Sequence, residues 1–430
     1  MNSVSKFVFN WSRCIKLSSR SHVAPLYSIS LKDQQLLSRT FSNSTFFSQS
    51  RFSSSQSKSK DANIKSFTFS RNTKLTVGLG LGLGAYLIAL DQWNQSKENE
   101  RTAMMLRTDG LPYIDDKPPE PNVARKIFNP KDQTGIKLTL YQYQTCPFCC
   151  KVRAFLDYYG FSYDVVEVNS ITRKDVKWSS YKKVPFLIVE SPGSTDGETK
   201  YIQLKDSSVI ISLLGSCLRN PEESLHKLLE SFPSYYDKDN GNKLQFANRY
   251  FIMYTETKDL ERKQKYIKLE RKWRQWVDDK FVHTLSPNVY RTPSESLQAF
   301  NWFDEVGDWQ RLFSSWERFL VIYLGASVMW IIGKRLKKRH NITSDPRISL
   351  YDQANLWMRE IRTSEGPFMG GTTPNLADLS MYGVLSAIEG CDAFQDLLDN
   401  TKIGKWFYKM KKVVLAREGE EKLVKRCSIR

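Results

Sequence analysis

Residues 137–159, KLTLYQYQTCPFCCKVRAFLDYY, decide the fold of this chain. In the first seven residues Leu alternates with Thr and Tyr, which predicts a short strand. From Cys149 onward, apolar residues such as Val152 and Phe155 recur at the spacing of one helix face. Cys146 and Cys149, which are separated by two residues, therefore stand at the junction between a strand and a helix.

The residues that follow continue this alternation of strands and helices. Two more runs with strand character, 162–168 and 184–189, precede a hairpin connection and a fourth strand at 201–204. Asp206 and the two serines after it then cap an apolar helix, since Asp and Ser are favoured N-cap residues. The order strand, helix, strand, hairpin and helix predicts one α/β domain over residues 135–220.

The position of Cys146 has a chemical consequence. A helix N-terminus carries partial positive charge and unpaired backbone N–H groups, and both favour a thiolate. We therefore expect Cys146 to have a lowered pKa and to act as the nucleophile, and Cys149 to be able to resolve a mixed disulfide. Pro147 stiffens the turn, and Lys151 and Arg153 add positive charge nearby.

Two other interpretations of the cysteine pair are weaker. Half of a structural zinc site would need a second cysteine pair or paired histidines. The sequence has four histidines, scattered singly: His22, His226, His283 and His340. A buried, inert pair fits poorly with the flanking strand and helix and with the downstream Val184-Pro185. We therefore predict local thiol chemistry and no metal site.

The N-terminal part of the chain does not resemble a folded domain. Residues 1–70 contain ten Lys or Arg and two acidic residues, and they are rich in serine, which predicts a targeting segment or a disordered tail. The uncharged run from Leu75 to Leu90 predicts a single membrane anchor at 74–91, and residues 92–134 predict a linker. Much of the net charge of +18 lies in the first segment, so we expect a membrane partner and no nucleic acid.

The C-terminal half has a different character. Residues 221–415 carry helical patterns and few strand signals, which predicts an all-α second domain, and residues 416–430 predict a basic tail. The most apolar helix, at 316–334, is interrupted by Gly325 and has an apolar core of 14 residues, which favours a buried helix over a second span. The seven cysteines form one cluster only, which indicates a folded part in a reducing compartment.

Several longer stretches of the sequence resemble one known family. They are TCPFCCKVRAFLDYYG, VVEVN, SSYKKVP, LKDSSVIISLL, KWRQWVDD, LSPNVYRTPSESL, GKRLKKRH and GPFMGGTTPNLADLSMYGVL. These strings are similar to membrane-associated prostaglandin E synthase type 2, a family of the glutaredoxin and glutathione-transferase superfamily. The resemblance spans about residues 135–415. It implies a thioredoxin-like N-terminal domain, a helical glutathione-transferase-like C-terminal domain and a homodimer.

The resemblance also implies an activity, the isomerisation of the lipid endoperoxide prostaglandin H2 to prostaglandin E2, with Cys146 as the essential cysteine. It further implies glutathione as a cofactor and haem as a second ligand. The matching positions fall into three groups: Tyr143 and Phe148 line the site, Val184, Asp206 and Ser207 contact glutathione, and Arg335 and Arg339 are expected to contact the anionic haem. For the two arginines, a solvated charge run at a helix end is the alternative.

Three functions are open at this point. The first is the isomerase, and the second is a glutaredoxin-like dithiol oxidoreductase, since both thiols of the motif are present. The third is a membrane protein that binds glutathione and haem and degrades the endoperoxide. Cys149 distinguishes the first two, because only dithiol exchange requires a resolving cysteine. We expect a single-pass protein of an intracellular membrane, Golgi or mitochondrial. The cysteine at position 150 departs from the family pattern.

Overall fold

The computed structural model describes residues 112–114, 116–192, 199–237, 243–253, 260–339 and 345–427. The predicted targeting segment at 1–70 and the predicted membrane anchor at 74–91 lie outside these residues, as do residues 92–111 of the predicted linker.

A six-stranded mixed sheet lies at the centre of the first domain. Its strands are β1 (Tyr113–Ile114), β2 (Arg125–Ile127), β3 (Lys137–Gln142), β4 (Tyr163–Glu167), β5 (Phe186–Pro192) and β6 (Thr199–Lys205), in the spatial order β1-β6-β5-β3-β4-β2. The four strands expected from the sequence are β3 to β6. Leu138 and Leu140 of β3 belong to the main core, whereas Tyr141 joins a smaller apolar cluster, so both faces of the strand are covered.

The linker predicted at 92–134 is corrected by the structure, because β1 and β2 lie within it. β1 pairs antiparallel with β6 through Tyr113 and Ile202, and β2 pairs antiparallel with β4 through Lys126 and Asp164. Strands of two and three residues are too short to show an alternating pattern, and the prolines between them are typical of a linker.

Two helices pack in the main core with this sheet. α1 (Pro147–Tyr159) follows β3, and α2 (Ser207–Arg219) follows β6. The α1 residues predicted to share one face, Val152, Phe155 and Leu156, are fully buried. α1 ends at Gly160, whose φ of 75° lies in the left-handed region that favours glycine. The cysteine motif therefore opens a helix that the core holds in place.

The rest of the described chain is mainly helical. Its helices are α3 (Leu225–Leu229), α4 (Leu260–Trp276), α5 (Val282–Val289), α6 (Pro293–Val306), α7 (Trp309–Leu312), α8 (Ser315–Phe319), α9 (Gly325–Arg339), α10 (Pro346–Ile361), α11 (Leu376–Ser386), α12 (Asp392–Asn400), α13 (Ile403–Leu415) and α14 (Glu420–Cys427). Two π-helical turns join neighbouring helices: Val277–Phe281 connects α4 to α5, and Leu320–Leu324 connects α8 to α9.

The prediction of an all-α domain at 221–415 is corrected by the structure, which has a β-hairpin in this region. Its strands, β7 (Ser234–Asp237) and β8 (Lys243–Phe246), pair antiparallel with each other and not with the central sheet. Each strand has four residues, and the two tyrosines of β7 lie next to each other, so the run lacks the alternation that predicts a strand.

The basic tail predicted at 416–430 is also corrected, since part of it forms α14. Leu423 is fully buried and Arg426 is nearly so. The guanidinium of Arg426 donates to the carbonyl oxygens of Cys217 and Asn220, at distances of 2.6 and 3.1 Å. These carbonyls close the C-terminal end of α2, which lies about two hundred residues earlier in the chain. Composition alone could not indicate this distant partner.

α11 packs directly on α1. An added Cβ at Gly383 of α11 would lie 2.5 Å from the Cα of Lys151 and 2.8 Å from the carbonyl oxygen of Cys150, so only glycine allows this approach. Asn375 and Asp378 form a capping box at the N-terminus of α11. The helical part of the chain thus contacts the helix that carries the cysteine pair.

The helix predicted to be buried at 316–334 is buried on one side only. Among the described residues, one helical stretch, Ser315–Lys337, is long and apolar enough to cross a membrane, with 23 residues and a mean hydropathy of 1.5. Only 17% of its most apolar part is buried within the molecule. Hydropathy indicates that a helix has an apolar face but not what covers that face, which explains the error.

Candidate active site

The sheet brings the three predicted motifs to one edge. Tyr141 of β3 pairs with Phe186 of β5, and Phe186 pairs with Lys205 of β6. The cysteine motif follows β3, Val184-Pro185 precedes β5, and Asp206 follows β6, so all three lie just beyond this row of residues. The Val184–Pro185 peptide bond is cis.

Cys146 occupies the N-cap position of α1, and its side chain does not cap the helix. Pro147 at the next position has no N–H, so the first available backbone donors belong to Phe148 and Cys149. Both groups lower the pKa of the Cys146 thiol without forming a capping hydrogen bond to its sulfur. The carbonyl oxygen of Cys146 accepts the N–H of Cys150 at 2.9 Å, the first hydrogen bond of the helix.

These contacts make Cys146 the acidic thiol of the pair. The hydrogen bond from the Cys149 thiol lowers the pKa of Cys146 to about 7, with help from the two backbone N–H groups and the charge of Arg153, although burial opposes them. About half of the Cys146 side chains are therefore thiolates at neutral pH. Cys146 is partly exposed while Cys149 is fully buried, so the reactive sulfur is also the accessible one.

Cys149 has the opposite chemistry. Burial is the main cause that raises the pKa of Cys149. The hydrogen bond to Cys146 and the charge of Cys146 raise this pKa further, whereas the backbone N–H of Tyr143 lowers it. Cys149 therefore stays protonated and serves as a donor. In the pair, Cys149 is thus the donor and the Cys146 sulfur is the acceptor.

Arg153 fixes the loop before the cysteine motif. Its guanidinium donates to the side-chain oxygen of Gln142 at 2.5 Å and to the carbonyl oxygen of Gln144 at 2.7 Å. It also lies 3.1 Å from the sulfur of Cys150, the unusual third thiol. Burial raises the pKa of Cys150, so this thiol stays protonated, and it donates to the same Gln144 carbonyl oxygen at 3.3 Å.

Asp206 forms the second helix N-terminus at this edge. Its carboxylate accepts the backbone N–H groups of Ser208 and Val209, at 2.9 and 3.2 Å, and thereby caps α2. Its φ of 71° lies in a region that residues other than glycine rarely adopt, and such positions are common at functional sites. Arg249, from the segment between β8 and α4, donates to the same carboxylate.

A buried ion pair joins both helices to the helical part of the chain. The Nζ of Lys151 donates to Asp278 at 2.6 Å and to the hydroxyl of Ser208 at 2.8 Å, and that hydroxyl donates to Asp278 at 2.6 Å. Tyr250 donates to the same carboxylate. Burial alone would raise the pKa of Asp278, but the charge of Lys151 and these hydrogen bonds hold it below its usual value. The carboxylate of Asp278 is therefore ionised at neutral pH.

Asp278 was not among the predicted site residues. It lies in the π-helical turn between α4 and α5, and such turns are frequent at functional sites. In the sequence it is one of two adjacent aspartates in a charged helix, which is typical of a solvated face. Its partner Lys151 lies 127 residues away in the chain. The quoted string KWRQWVDD was the one signal that could have drawn attention to it.

Tyr143 and Tyr290 contribute side chains near the thiols. Burial raises the pKa of Tyr143, while a hydrogen bond from Arg173 and its positive charge oppose this rise. Tyr290, which follows α5, was not predicted, although the quoted string LSPNVYRTPSESL contains it. Burial raises the pKa of Tyr290 well above the value of an ordinary tyrosine, and the charges of Cys391 and Cys146 act in the same direction. Both phenols therefore stay protonated at neutral pH.

The predicted residues thus divide into two sets. One set gathers at the sheet edge: Tyr143, Cys146, Phe148, Cys149, Val184, Asp206 and Ser207. The other set lies on α9, where Arg335 is exposed and Arg339 is the last helical residue, with its side chain outside the described part of the chain. An added Cβ at Gly333 of α9 would lie 3.1 Å from the carbonyl oxygen of Tyr290, so α9 passes beside Tyr290.

Part of the first domain matches a known protein family. The glutaredoxin family model matches residues 138–191, which run from β3 to β5. In solved structures, glutathione transferase F7 from Populus trichocarpa covers 67% of this chain and 99% of its own, with 12% identity and a TM-score of 0.35. Beta-etherase LigF from Sphingobium sp. strain SYK-6 covers 68% and 98%, with 14% identity and a TM-score of 0.35. These values are too low to bear on function.

Two curated relatives are much more similar in sequence. Prostaglandin E synthase 2 of Danio rerio is 44% identical over 299 residues, which cover 68% of this chain and 75% of the relative. Prostaglandin E synthase 2 of Mus musculus is 43% identical over 291 residues, which cover 65% and 71%. Identity of this extent shows that the chain belongs to the prostaglandin E synthase 2 family.

Proposed function

We propose that this chain is a prostaglandin E synthase, which isomerises prostaglandin H2 to prostaglandin E2 with Cys146 as the catalytic thiol. The names of the two relatives support the reaction. The observation that carries the role of Cys146 is the lowered pKa of an accessible thiol, about 7, beside a buried thiol that donates to it. A group with a pKa near neutral pH is suited to take up and return a proton.

The isomerisation of an endoperoxide is balanced without any external oxidant or reductant. A base removes the proton from a carbon that carries one of the two peroxide oxygens. The electron pair of that C–H bond forms a carbonyl, the O–O bond breaks, and the second oxygen takes up a proton to become a hydroxyl. The Cys146 thiolate is the base in this scheme, and the thiol it becomes returns the proton to the second oxygen.

The edge of the sheet beside Cys146 fits glutathione. The carboxylate of Asp206 would meet the ammonium of the γ-glutamyl group, and the N-terminus of α2 at Ser207 would meet its carboxylate. The backbone of Val184, two residues before β5, would pair with the extended peptide part. Arg249 beside Asp206 adds positive charge for a second carboxylate. Bound glutathione would supply a further thiol at this edge.

The direct test is turnover of prostaglandin H2 by the purified full chain. We expect Cys146→Ser to abolish formation of prostaglandin E2 above the spontaneous rate, and Cys149→Ser to retain part of the activity. A Cys146→Ser variant that is folded and still forms prostaglandin E2 at the wild-type rate would contradict the assignment. Product identity is measured by chromatography with mass detection, because prostaglandin H2 also rearranges without an enzyme.

A glutaredoxin-like dithiol oxidoreductase is the second candidate. The observation that favours it is the hydrogen bond between the two thiols of the motif, which is the arrangement from which an intramolecular disulfide can form. Reduction of a mixed disulfide with glutathione, measured for wild type and Cys149→Ser, distinguishes the two candidates. Loss of this activity in Cys149→Ser, together with retained isomerisation, would show that the chain performs both reactions.

Haem binding, the homodimer and the single N-terminal anchor in a Golgi or mitochondrial membrane are further parts of this proposal. Arg335 is exposed at the C-terminal end of α9, where an anionic propionate could pair with it. An absorbance spectrum of the protein with and without added haem and glutathione tests this ligand. We infer the third function, degradation of the endoperoxide, only for a haem-loaded form.

A further inference from the structure

The continuous helix formed by α8, its π-helical turn and α9 packs on the rest of the molecule with one face only. On this inner face Ile322 is buried. An added Cβ at Gly325 would lie 2.6 Å from the ring of Phe300 in α6, and one at Gly333 would lie 3.1 Å from the backbone of Tyr290. The inner face is therefore closely packed, and the outer face is not part of the core.

The outer face of this helix is apolar. We call the following residues the apolar stripe: Trp316, Phe319, Leu320, Tyr323 and Ile331. Their spacing places them on one side of the helix. Trp316 is 63% exposed, Phe319 is 60% exposed and Tyr323 is 51% exposed. A surface helix normally carries polar residues on its outer face, so this reversal marks an interaction surface.

A basic cluster, Lys334, Arg335 and Lys337, continues the apolar stripe at its C-terminal end. Lys334 and Arg335 are exposed, and the Nζ of Lys334 lies 4.0 Å from the ring centroid of Trp330. In the sequence no acidic residue occurs between Glu317 and Asp345. The partner of this face therefore offers apolar groups and negative charge together.

We propose that this face docks on a membrane surface that contains anionic phospholipids. The apolar stripe lies at the boundary between headgroups and acyl chains, where Trp and Tyr are favoured, and the basic cluster lies against the lipid phosphates. The helix runs along the membrane and not across it, because α6 and the Tyr290 backbone occupy its inner face. At a rise of 1.5 Å per residue, its 23 residues form a contact about 35 Å long.

A second copy of the chain is the competing occupant, and the charges favour lipid over it. A two-fold contact between copies of this helix would place both basic clusters in one interface. Each helix would offer a single acidic residue, Glu317, to balance them. That carboxylate already accepts the backbone N–H and the hydroxyl of Ser314, at 2.9 and 2.7 Å. Anionic lipid supplies the negative charge that the helix itself lacks.

Docking of this face also has a consequence for the candidate active site. This consequence rests on the proposed function. α9 passes beside Tyr290, whose phenol interacts electrostatically with Cys146. A lipid substrate that leaves the membrane at this helix thus meets Tyr290, a residue of the candidate active site. The docking itself does not depend on this step, since vesicle contact can be measured without turnover.

The test uses the full chain and vesicles that contain a photoactivatable phospholipid. The vesicles are either purely phosphatidylcholine or contain about one quarter phosphatidylserine. After irradiation, mass spectrometry locates the lipid adducts on the peptides. We expect adducts within 315–337 that are several-fold more abundant with phosphatidylserine and that decrease at high salt. They should disappear in Trp316→Ser/Phe319→Ser/Tyr323→Ser and decrease in Lys334→Gln/Lys337→Gln.

A matched control is Tyr408→Ser/Leu415→Ser, which removes two equally exposed apolar side chains from α13. This control should leave the adducts within 315–337 unchanged, and thermal unfolding shows whether every variant is folded. Absence of adducts within 315–337, with adducts elsewhere, would overturn the proposal. So would conversion of a dimer to a monomer by the triple substitution in sedimentation experiments, because the face would then be an interface between copies.

Discussion

The two helix N-termini at the sheet edge use their backbone N–H groups in different ways. At α1 the N-cap residue is Cys146, whose side chain leaves the helix uncapped, and the N–H groups of Phe148 and Cys149 point at its sulfur. At α2 the carboxylate of Asp206 accepts the N–H groups of Ser208 and Val209. The positive end of α1 therefore stabilises a thiolate, whereas the N–H groups of Ser208 and Val209 at α2 already meet a carboxylate.

This difference indicates a division of labour between the termini. An uncapped terminus lowers the pKa of the group placed on it, which suits chemistry. A capped terminus whose carboxylate is held at a positive φ suits the recognition of a charged ligand, because the cap is fixed in position. The ion pair of Lys151 and Asp278 joins the two, since Lys151 belongs to α1 and its second partner, Ser208, belongs to α2.

The strongest test of this comparison removes the thiol at the uncapped terminus. Cys146→Ser replaces a group with a pKa of about 7 by a hydroxyl that is not ionised, so isomerase activity should fall about a thousandfold or more. Turnover of prostaglandin H2 measures the loss. Cys150→Ser, which removes the adjacent buried thiol, is the control and should keep most of the activity. If both variants lose activity equally, the difference between the termini is not the source of the chemistry.

The next test breaks the ion pair that joins the termini. Asp278→Ala leaves the ammonium of Lys151, which is fully buried, without its counter-ion, and should lower the free energy of unfolding by about 3–5 kcal/mol. Lys151→Met/Asp278→Leu removes both charges and should recover most of that loss. Urea unfolding of the three proteins measures the difference. An equal loss in the single and double variants would show that packing, and not charge, holds the termini together.

Local patterns were sufficient to predict both termini. The alternation before Cys146 and the helical spacing after it are contained in residues 137–159, and Asp206 directly precedes an apolar run. These features depend on neighbours in the chain. The same reasoning predicted β3 to β6 and the helices α1 and α2, because each of them is long enough to show its period.

Features that depend on distant partners were missed. Asp278 is buried only because Lys151, 127 residues earlier, lies against it. β1 and β2 exist because β6 and β4 offer them free edges. For the helix at 316–334, hydropathy indicated an apolar face and the interruption at Gly325 favoured burial, yet Gly325 is the position at which Phe300 of α6 packs closely. In each case the deciding contact is tertiary, and no local pattern records it.

A third test alters the capped terminus. Asp206→Ala removes the carboxylate that caps α2 and that we expect to meet the γ-glutamyl ammonium, so the apparent affinity for glutathione should fall about tenfold. The lost cap should also cost about 1 kcal/mol of stability. Ser224→Ala is the matched control, because Ser224 caps α3 through the N–H of Lys227 away from the sheet edge. It should lose similar stability without changing the affinity, as measured by titration calorimetry.

The finest test concerns the donor to the thiolate. Alkylation of Cys146 by iodoacetamide should follow a titration with a midpoint near pH 7, since the thiol is protonated below its pKa and unreactive. Cys149→Ala removes the hydrogen bond that contributes most to this lowering, so the midpoint should move toward the ordinary value of about 8.5. At pH 7 the thiolate fraction would then fall below one half, and the alkylation rate should fall with it, by at most about fifteenfold. A midpoint that stays near 7 would mean that the backbone N–H groups of α1 and the charge of Arg153 suffice without the Cys149 thiol, so that the uncapped terminus, and not the cysteine pair, would be the main source of the acidity.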